Sequence, residues 1–136
     1  MPPSAFDIQI APNSPAPIFK QIVDQIRLAA ATGAIAPGQQ LPSVRALAQR
    51  LVINPNTVAR AYADLTREGV LDTQQGKGVF VAPQRQVYTK AERLRRLDAS
   101  LEEFVQTALS LGFEPEELYP AIDRKIVQLL GKGART

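Results

Sequence analysis

Two hydrophobic periods alternate along the chain, and each change of period marks an element. Near the start, Phe6, Ile8 and Ile10 recur at every second position, which puts them on one face and predicts a short strand ahead of a proline-rich link. From Ile18 the spacing lengthens. Ile18, Phe19, Ile22, Val23, Ile26, Ala29 and Ala30 fall three and four apart, the pattern of an amphipathic helix, and Gly33 follows as its left-handed stop. The segment APGQQLP at 36–42 reads as a turn, and Ser43 then stands where an N-cap hydroxyl is wanted before Val44, Leu47, Ala48 and Leu51. Ile53-Asn54-Pro55-Asn56 interrupts this second helix: Asn54 offers a cap, and Pro55 takes the first helical position, where its missing N–H costs nothing. A third helix follows with Val58, Ala61, Tyr62 and Leu65 facing inward and Gly69 at its end.

Two short helices joined by a tight turn make a helix-turn-helix. After it, Val70 to Gln75 and Val79 to Ala82 flank Gly76-Lys77-Gly78, whose glycines permit the backbone angles of a hairpin tip, so a two-stranded wing is expected. Pro83 and the polar residues Gln84 to Gln86 read as a linker. Beyond them, Leu94, Leu97, Leu101, Phe104, Ala108 and Leu111 are spaced 3, 4, 3, 4 and 3 apart, a seam of the kind that packs helix on helix. Gly112 breaks that helix. Acidic residues from Glu114 to Glu117 and an early Pro115 start another, whose apolar face is Leu118, Ile122, Ile126, Leu129 and Leu130. The expected fold is mainly α with a small β-wing: a winged helix-turn-helix over residues 1–83 and a C-terminal helical hairpin over 84–136.

Composition narrows the function. The 136 residues contain neither cysteine nor histidine, which removes thiol nucleophiles, disulfides, the usual general base and most transition-metal sites. We assign no catalytic residues, no metal site and no cofactor, and expect that the protein is not an enzyme. Gly76-Lys77 does not make a phosphate loop, because residue 78 is glycine where serine or threonine is needed. The carboxylates of Asp98, Glu102 and Glu103, and of Glu114, Glu116 and Glu117, read as helix-surface and N-terminal charges. No stretch approaches the roughly 18 apolar residues of a membrane helix, and the N-terminus lacks a basic start followed by an apolar run, so no membrane partner and a cytoplasmic location are expected. Net charge is only +3, yet residues 16–83 carry seven of the cations against four of the anions, which concentrates the excess on the helix-turn-helix and wing.

An α-helix fits the major groove of double-stranded DNA, and in this motif the first turn of the second helix of the pair points at base edges. That turn holds Asn54, Asn56, Thr57 and Arg60. Asparagine pairs bidentately with adenine, threonine offers a hydroxyl and a methyl group, and arginine suits guanine or phosphate. Capping by itself accounts for Asn54, whereas Asn56 and Thr57 have no such explanation. Arg45 and Arg50 flank the groove, the N–H groups beside Ser43 attract phosphate, and Lys77 between Gly76 and Gly78 reaches toward the backbone at the wing tip. Arg67 reads as a partner of Asp64 or Glu68, Tyr62 as core, and Arg93, Arg95 and Arg96 as a charged helix edge.

The elements PIFKQIVDQIR, GAIAPGQQLPSVRALAQRL, NPNTVARAYADLTREGVL and GKGVFV, in this order between Pro17 and Val81, resemble the winged helix-turn-helix of the GntR family of bacterial transcription regulators. The short helical C-terminal part is similar to the YtrA subfamily. The resemblance implies that Ser43 and Arg45 approach phosphates, that Asn56 and Thr57 enter the recognition surface, and that Gly76 forms the wing tip. Many relatives carry arginine where this chain has Gln75 and Pro55. The leading reading is a homodimeric repressor on an inverted-repeat operator, with an unidentified small-molecule effector as a compatible partner. The seam residues Leu94, Leu97, Leu101, Phe104, Ala108 and Leu111, with Leu118, Ile122, Ile126 and Leu129, are assigned to the dimer interface, since a twofold axis sets two recognition helices about one DNA turn apart. The alternative is an architectural protein that coats DNA without base discrimination.

Overall fold

A computed structural model describes residues 7–83 and 88–131. The helices are α1 (Ile18–Thr32), α2 (Val44–Leu51), α3 (Pro55–Arg67), α4 (Lys90–Ser110) and α5 (Pro115–Leu130), and the strands are β1 (Leu71–Gln74) and β2 (Gly78–Val81). Contacts divide the chain into two units, residues 1–85 and 86–136.

The first unit is built around α3, which packs against α1, α2 and β1. Its centre is a set of fully buried side chains drawn from the three helices, the loop after α1 and β2: Ile22 and Ile26, Ile35, Leu47, Val58, Leu65 and Val81. These are positions of the inward-facing periods, so the amphipathic stripes meet as their spacing requires. The wing is an antiparallel pair in the register Leu71↔Val81 to Gln74↔Gly78, closed by a three-residue turn, Gln75 to Lys77. Gly78 therefore begins β2 and is not itself part of the turn. A third stretch, Gly38 to Leu41, lines the other edge of β2: Gly38 N–H donates to the Val81 carbonyl at 2.8 Å, Val81 N–H to Gln39 at 2.9 Å and Leu41 N–H to Val79 at 2.9 Å. The loop read as a turn thus also ties the wing to the helices.

The expected N-terminal strand is not formed. Phe6 lies outside the described residues; Ile8 is buried and Ile10 packs against the core, yet residues 7–10 have no regular secondary structure. Period two identified the alternation of inward and outward side chains, but a strand needs another strand as partner and here the neighbour is α1. Two glutamines of that helix substitute for it. Gln25 Oε1 accepts from Gln9 N–H at 2.9 Å while Gln25 Nε2 donates to Gln9 O at 2.6 Å, and Gln21 does the same for Ala11 at 2.8 and 3.1 Å. Backbone polar groups are satisfied without a ladder.

In the second unit, α4 starts at Thr89, whose hydroxyl accepts from Glu92 N–H at 3.1 Å, and ends at Gly112, where Phe113 N–H returns to Ala108 O at 3.2 Å. At the start of α5, Glu117 Oε1 accepts from Glu114 N–H at 2.8 Å. Pro120 sits inside α5 and deprives the Glu116 carbonyl of its helical donor, which is tolerable because that turn faces solvent. Ala108 is buried beside the connection, and a groove of about 390 Å³ there is lined by Phe104, Leu111, Phe113, Leu118 and Arg124 among others. Elsewhere the helices leave each other's apolar faces open. Leu94 and Leu97 are each 56% exposed and Leu129 is 58% exposed. The linker expected at 84–86 lies outside the described residues.

Candidate nucleic-acid interface

The N-terminus of each helix of the α2–α3 pair is fixed by a side chain already selected for that position. Ser43 Oγ accepts from Ala46 N–H at 3.0 Å, which caps α2 and leaves the hydroxyl proton free to donate outward. Asn54 Oδ1 accepts from Asn56 N–H at 2.8 Å, so Asn54 is the N-cap of α3 and retains its amide N–H₂ as an exposed donor. Pro55 follows at the first helical position. These caps set the axis of α3 and present Asn56 on the exposed side and Thr57, half-buried, next to it.

Tyr62 locks the pair from beneath. Its ring is in the core and its hydroxyl donates to Pro42 O at 2.8 Å, joining α3 to the chain entering α2. Burial pushes the phenol well above its ordinary pKa, with Arg50 pulling the other way, so it remains a donor at all ordinary pH values. A second tie, the Thr66 and Thr73 hydroxyls at 2.9 Å, connects α3 to β1. The exposed face of α3 contains Asn56, Ala59, Arg60, Ala63 and Arg67. Ala59 and Ala63 escape a search for polar readers, yet short side chains are what allow a helix axis to approach a groove floor closely.

The cations of this unit fall into two sets. Lys20 pairs with Asp24 at 3.1 Å, Arg27 with Asp24 at 3.1 Å and with Glu68 at 2.8 Å, and Arg67 with Asp64 at 3.1 Å. The Arg27–Glu68 bond raises the guanidinium pKa further. Among the described residues, Arg45, Arg50, Arg60 and Lys77 have no carboxylate in ion-pair range, and they lie on α2, on the first half of α3 and at the wing tip. Arg60 is stacked over the Phe19 ring, 3.6 Å from its centroid, which holds the plane of the guanidinium and leaves its N–H edge available. At the tip, Gly76 has φ 79° and Gly78 φ 129°, and Lys77 is exposed between them. Gln40, which no sequence pattern singles out, reaches this turn and donates to Lys77 O at 3.1 Å.

The second unit contributes an apolar surface and a charged edge. Glu92 accepts from Arg95 and, at 2.9 Å, from Arg96, and these bonds hold its carboxyl below the usual range. Arg96 also covers the Tyr88 ring at 3.9 Å. No helix among the described residues is long and apolar enough to cross a membrane, and none of their acidic side chains cluster as a metal site.

Comparison with known proteins adds to this geometry. The profile of the bacterial regulatory proteins of the gntR family matches residues 18–81, from the start of α1 to the end of β2. The HTH-type transcriptional repressor YtrA of Bacillus subtilis (strain 168) is 36% identical over 112 residues, covering 82% of this chain and 86% of that protein. A crystal structure of a transcriptional antiterminator from Listeria monocytogenes EGD-e superposes with a TM-score of 0.79 at 31% identity, covering 96% of this chain and 97% of that one. YtrA from Sulfolobus acidocaldarius, a GntR-family transcription factor, superposes with a TM-score of 0.58 at 35% identity over 71% of this chain and 97% of its own.

Proposed function

This chain belongs to the gntR family of bacterial regulatory proteins, and from that premise we propose that it is a cytoplasmic transcriptional repressor that reads an inverted-repeat operator as a homodimer. The observation that carries the reading is the division of the cations. Within the first unit, Lys20, Arg27 and Arg67 are paired with carboxylates, whereas Arg45 and Arg50 on α2, Arg60 on the first half of α3 and Lys77 at the wing tip are left for an external polyanion. Arg45, the Ser43 hydroxyl and Lys77 hold phosphates on either side, while Asn56 and Thr57 contact base edges at the entry of α3. Arg60, braced by Phe19, and the spare amide of Asn54 complete the contact surface, with Gly76 and Gly78 allowing the tip to come close.

Dimerisation is supported by the second unit. Of the large apolar side chains exposed among the described residues, all but Val52 belong to it, including Leu94, Leu97, Leu101, Phe104, Leu111, Ile122 and Leu129. So many exposed apolar side chains on so small a unit call for a partner, and a second copy supplies a self-complementary one. Ala108 is buried within the protomer already and supports the interface from behind.

Fluorescence anisotropy of the purified chain on the intergenic DNA upstream of its own gene, against a scrambled duplex at two salt concentrations, tests the proposal. Selective binding that persists at the higher salt is expected. Equal, salt-sensitive binding to both duplexes would replace it with the architectural reading.

A further inference from the structure

We propose that Gln40 is a positioning residue for the wing, holding the tip in the shape that presents Lys77 to nucleic acid; the functional half of this inference rests on the DNA-binding reading above. Gln40 lies opposite Phe80 on the stretch that pairs with β2. Gly78 is two residues before Phe80 on the same face, so it stands diagonally across from Gln40, within reach of a long side chain. From there the Gln40 Nε2 donates to Lys77 O at 3.1 Å, and Lys77 N–H donates to Gln74 O at 2.9 Å. The tip residue is thereby held on both sides of its backbone, and its ammonium is left without a carboxylate partner.

Gly78 is shaped for this contact. A Cβ on it would stand 2.5 Å from Gln40 Nε2, closer than real side chains come, and its φ of 129° is one that other residues rarely adopt. Glycine is needed for the backbone, and a side chain there would push the Gln40 amide out of its place. The cost is a turn in which Lys77 is bracketed by two glycines, each free to take many conformations. Gln40 removes that freedom from a position anchored by buried Leu41 and Ile35. The tip is then ordered during folding, and DNA binding does not have to order it.

Gln40→Met tests this, because it keeps the length of the side chain and removes the donor. In ¹⁵N relaxation of the free chain, the tip amides of Gly76, Lys77 and Gly78 should fall from order parameters near ~0.85 to below about 0.6, with Leu71 and Val81 unchanged. An equally ordered tip in the variant overturns the proposal, whatever the chain binds. On DNA, Gln40→Met should lower the slope of log affinity against log salt by about 0.9, as Lys77→Ala does, and adding Lys77→Ala to it should lower it no further. A slope reduced by Lys77→Ala but untouched by Gln40→Met overturns the positioning role and leaves DNA binding standing. If neither variant moves the slope, the tip does not meet DNA and the functional half of the inference falls. Failure of the unaltered chain to bind any duplex would instead remove the DNA-binding reading, with the relaxation result still deciding the lock.

Discussion

Val52 is the one non-glycine residue with positive φ among those described, at 57°, and it closes α2 in the bond pattern that glycine closes elsewhere. Ile53 N–H returns to Ala48 O, as Val70 N–H returns to Leu65 O past Gly69 and Phe113 N–H to Ala108 O past Gly112. A β-branched residue is strained in this conformation, and its side chain, 87% exposed, recovers little by packing. Val52→Gly should therefore raise unfolding stability by about 1 kcal/mol, the relief of strain less the added backbone entropy, in a urea titration. At the same scale, Asn56→Ala and Thr57→Ala should each cost about 1–3 kcal/mol on the operator and much less on scrambled DNA. Arg45→Ala should weaken both duplexes alike and reduce the salt slope by about 1. Equal losses on the two duplexes for Asn56→Ala would show that this side chain does not read bases.

Between elements, the polar ties decide how well α2 and α3 hold their angle. Tyr62→Phe keeps the buried ring and removes the donor to Pro42 O, so a loss of about 0.5–1.5 kcal/mol is expected at neutral pH. The phenol pKa is raised in the folded state, so its neutral form is the one that folding favours. That contribution is complete below the unfolded phenol value near 10 and is lost as pH rises above it. Denaturation measured from pH 8 to 11 should show an alkaline decline that is smaller in Tyr62→Phe; an unchanged decline would place its origin elsewhere. Glu92 behaves in the opposite sense. Its folded pKa is lowered, so the support it gives the first turns of α4 is present above the usual carboxylate range and disappears as pH falls through its folded value. Glu92→Gln should remove that acid-dependent loss of helicity in circular dichroism.

For the molecule as a whole, the proposed partner is a second copy. Sedimentation of the full chain at micromolar concentration should give a dimer, and Leu97→Asp, which places a charge in the middle of the apolar surface, should give a folded monomer with weakened operator binding. A monomer for the unaltered chain would sink the interface assigned to Leu94–Leu129. Dimerisation matters to the DNA-binding reading because one recognition helix contacts a single half-site, and two on a twofold axis share the cost of association.

The local elements were legible in the sequence because their causes are local. The stripe from Ile18 to Ala30, the Ser43 and Asn54 caps, Pro55 at the start of α3 and the glycines of the wing each act within a few residues, and those three helices stand where the pattern puts them, with the hairpin tip one residue earlier, at Gln75 to Lys77. Charge counting also placed the cation excess in residues 16–83, the segment that folds into α1 to α3 and the wing. What needed tertiary structure was the choice among partners. Periodicity around Ile8 showed which side chains turn inward but not that glutamines of α1 would serve as the segment's neighbour. Arg60 could be assigned to the contact turn, but its brace, Phe19, comes from a different helix. Gln40 meets Lys77 across 37 residues, a contact no spacing rule contains. Sequence by itself determined which segments become helices and which become the wing, since propensity, capping and amphipathic period are short-range. Only the packed chain decided that Glu68 is a second partner of Arg27, that Phe19 braces Arg60 and that Gln40 holds the wing, because those depend on groups that folding brings together from distant positions.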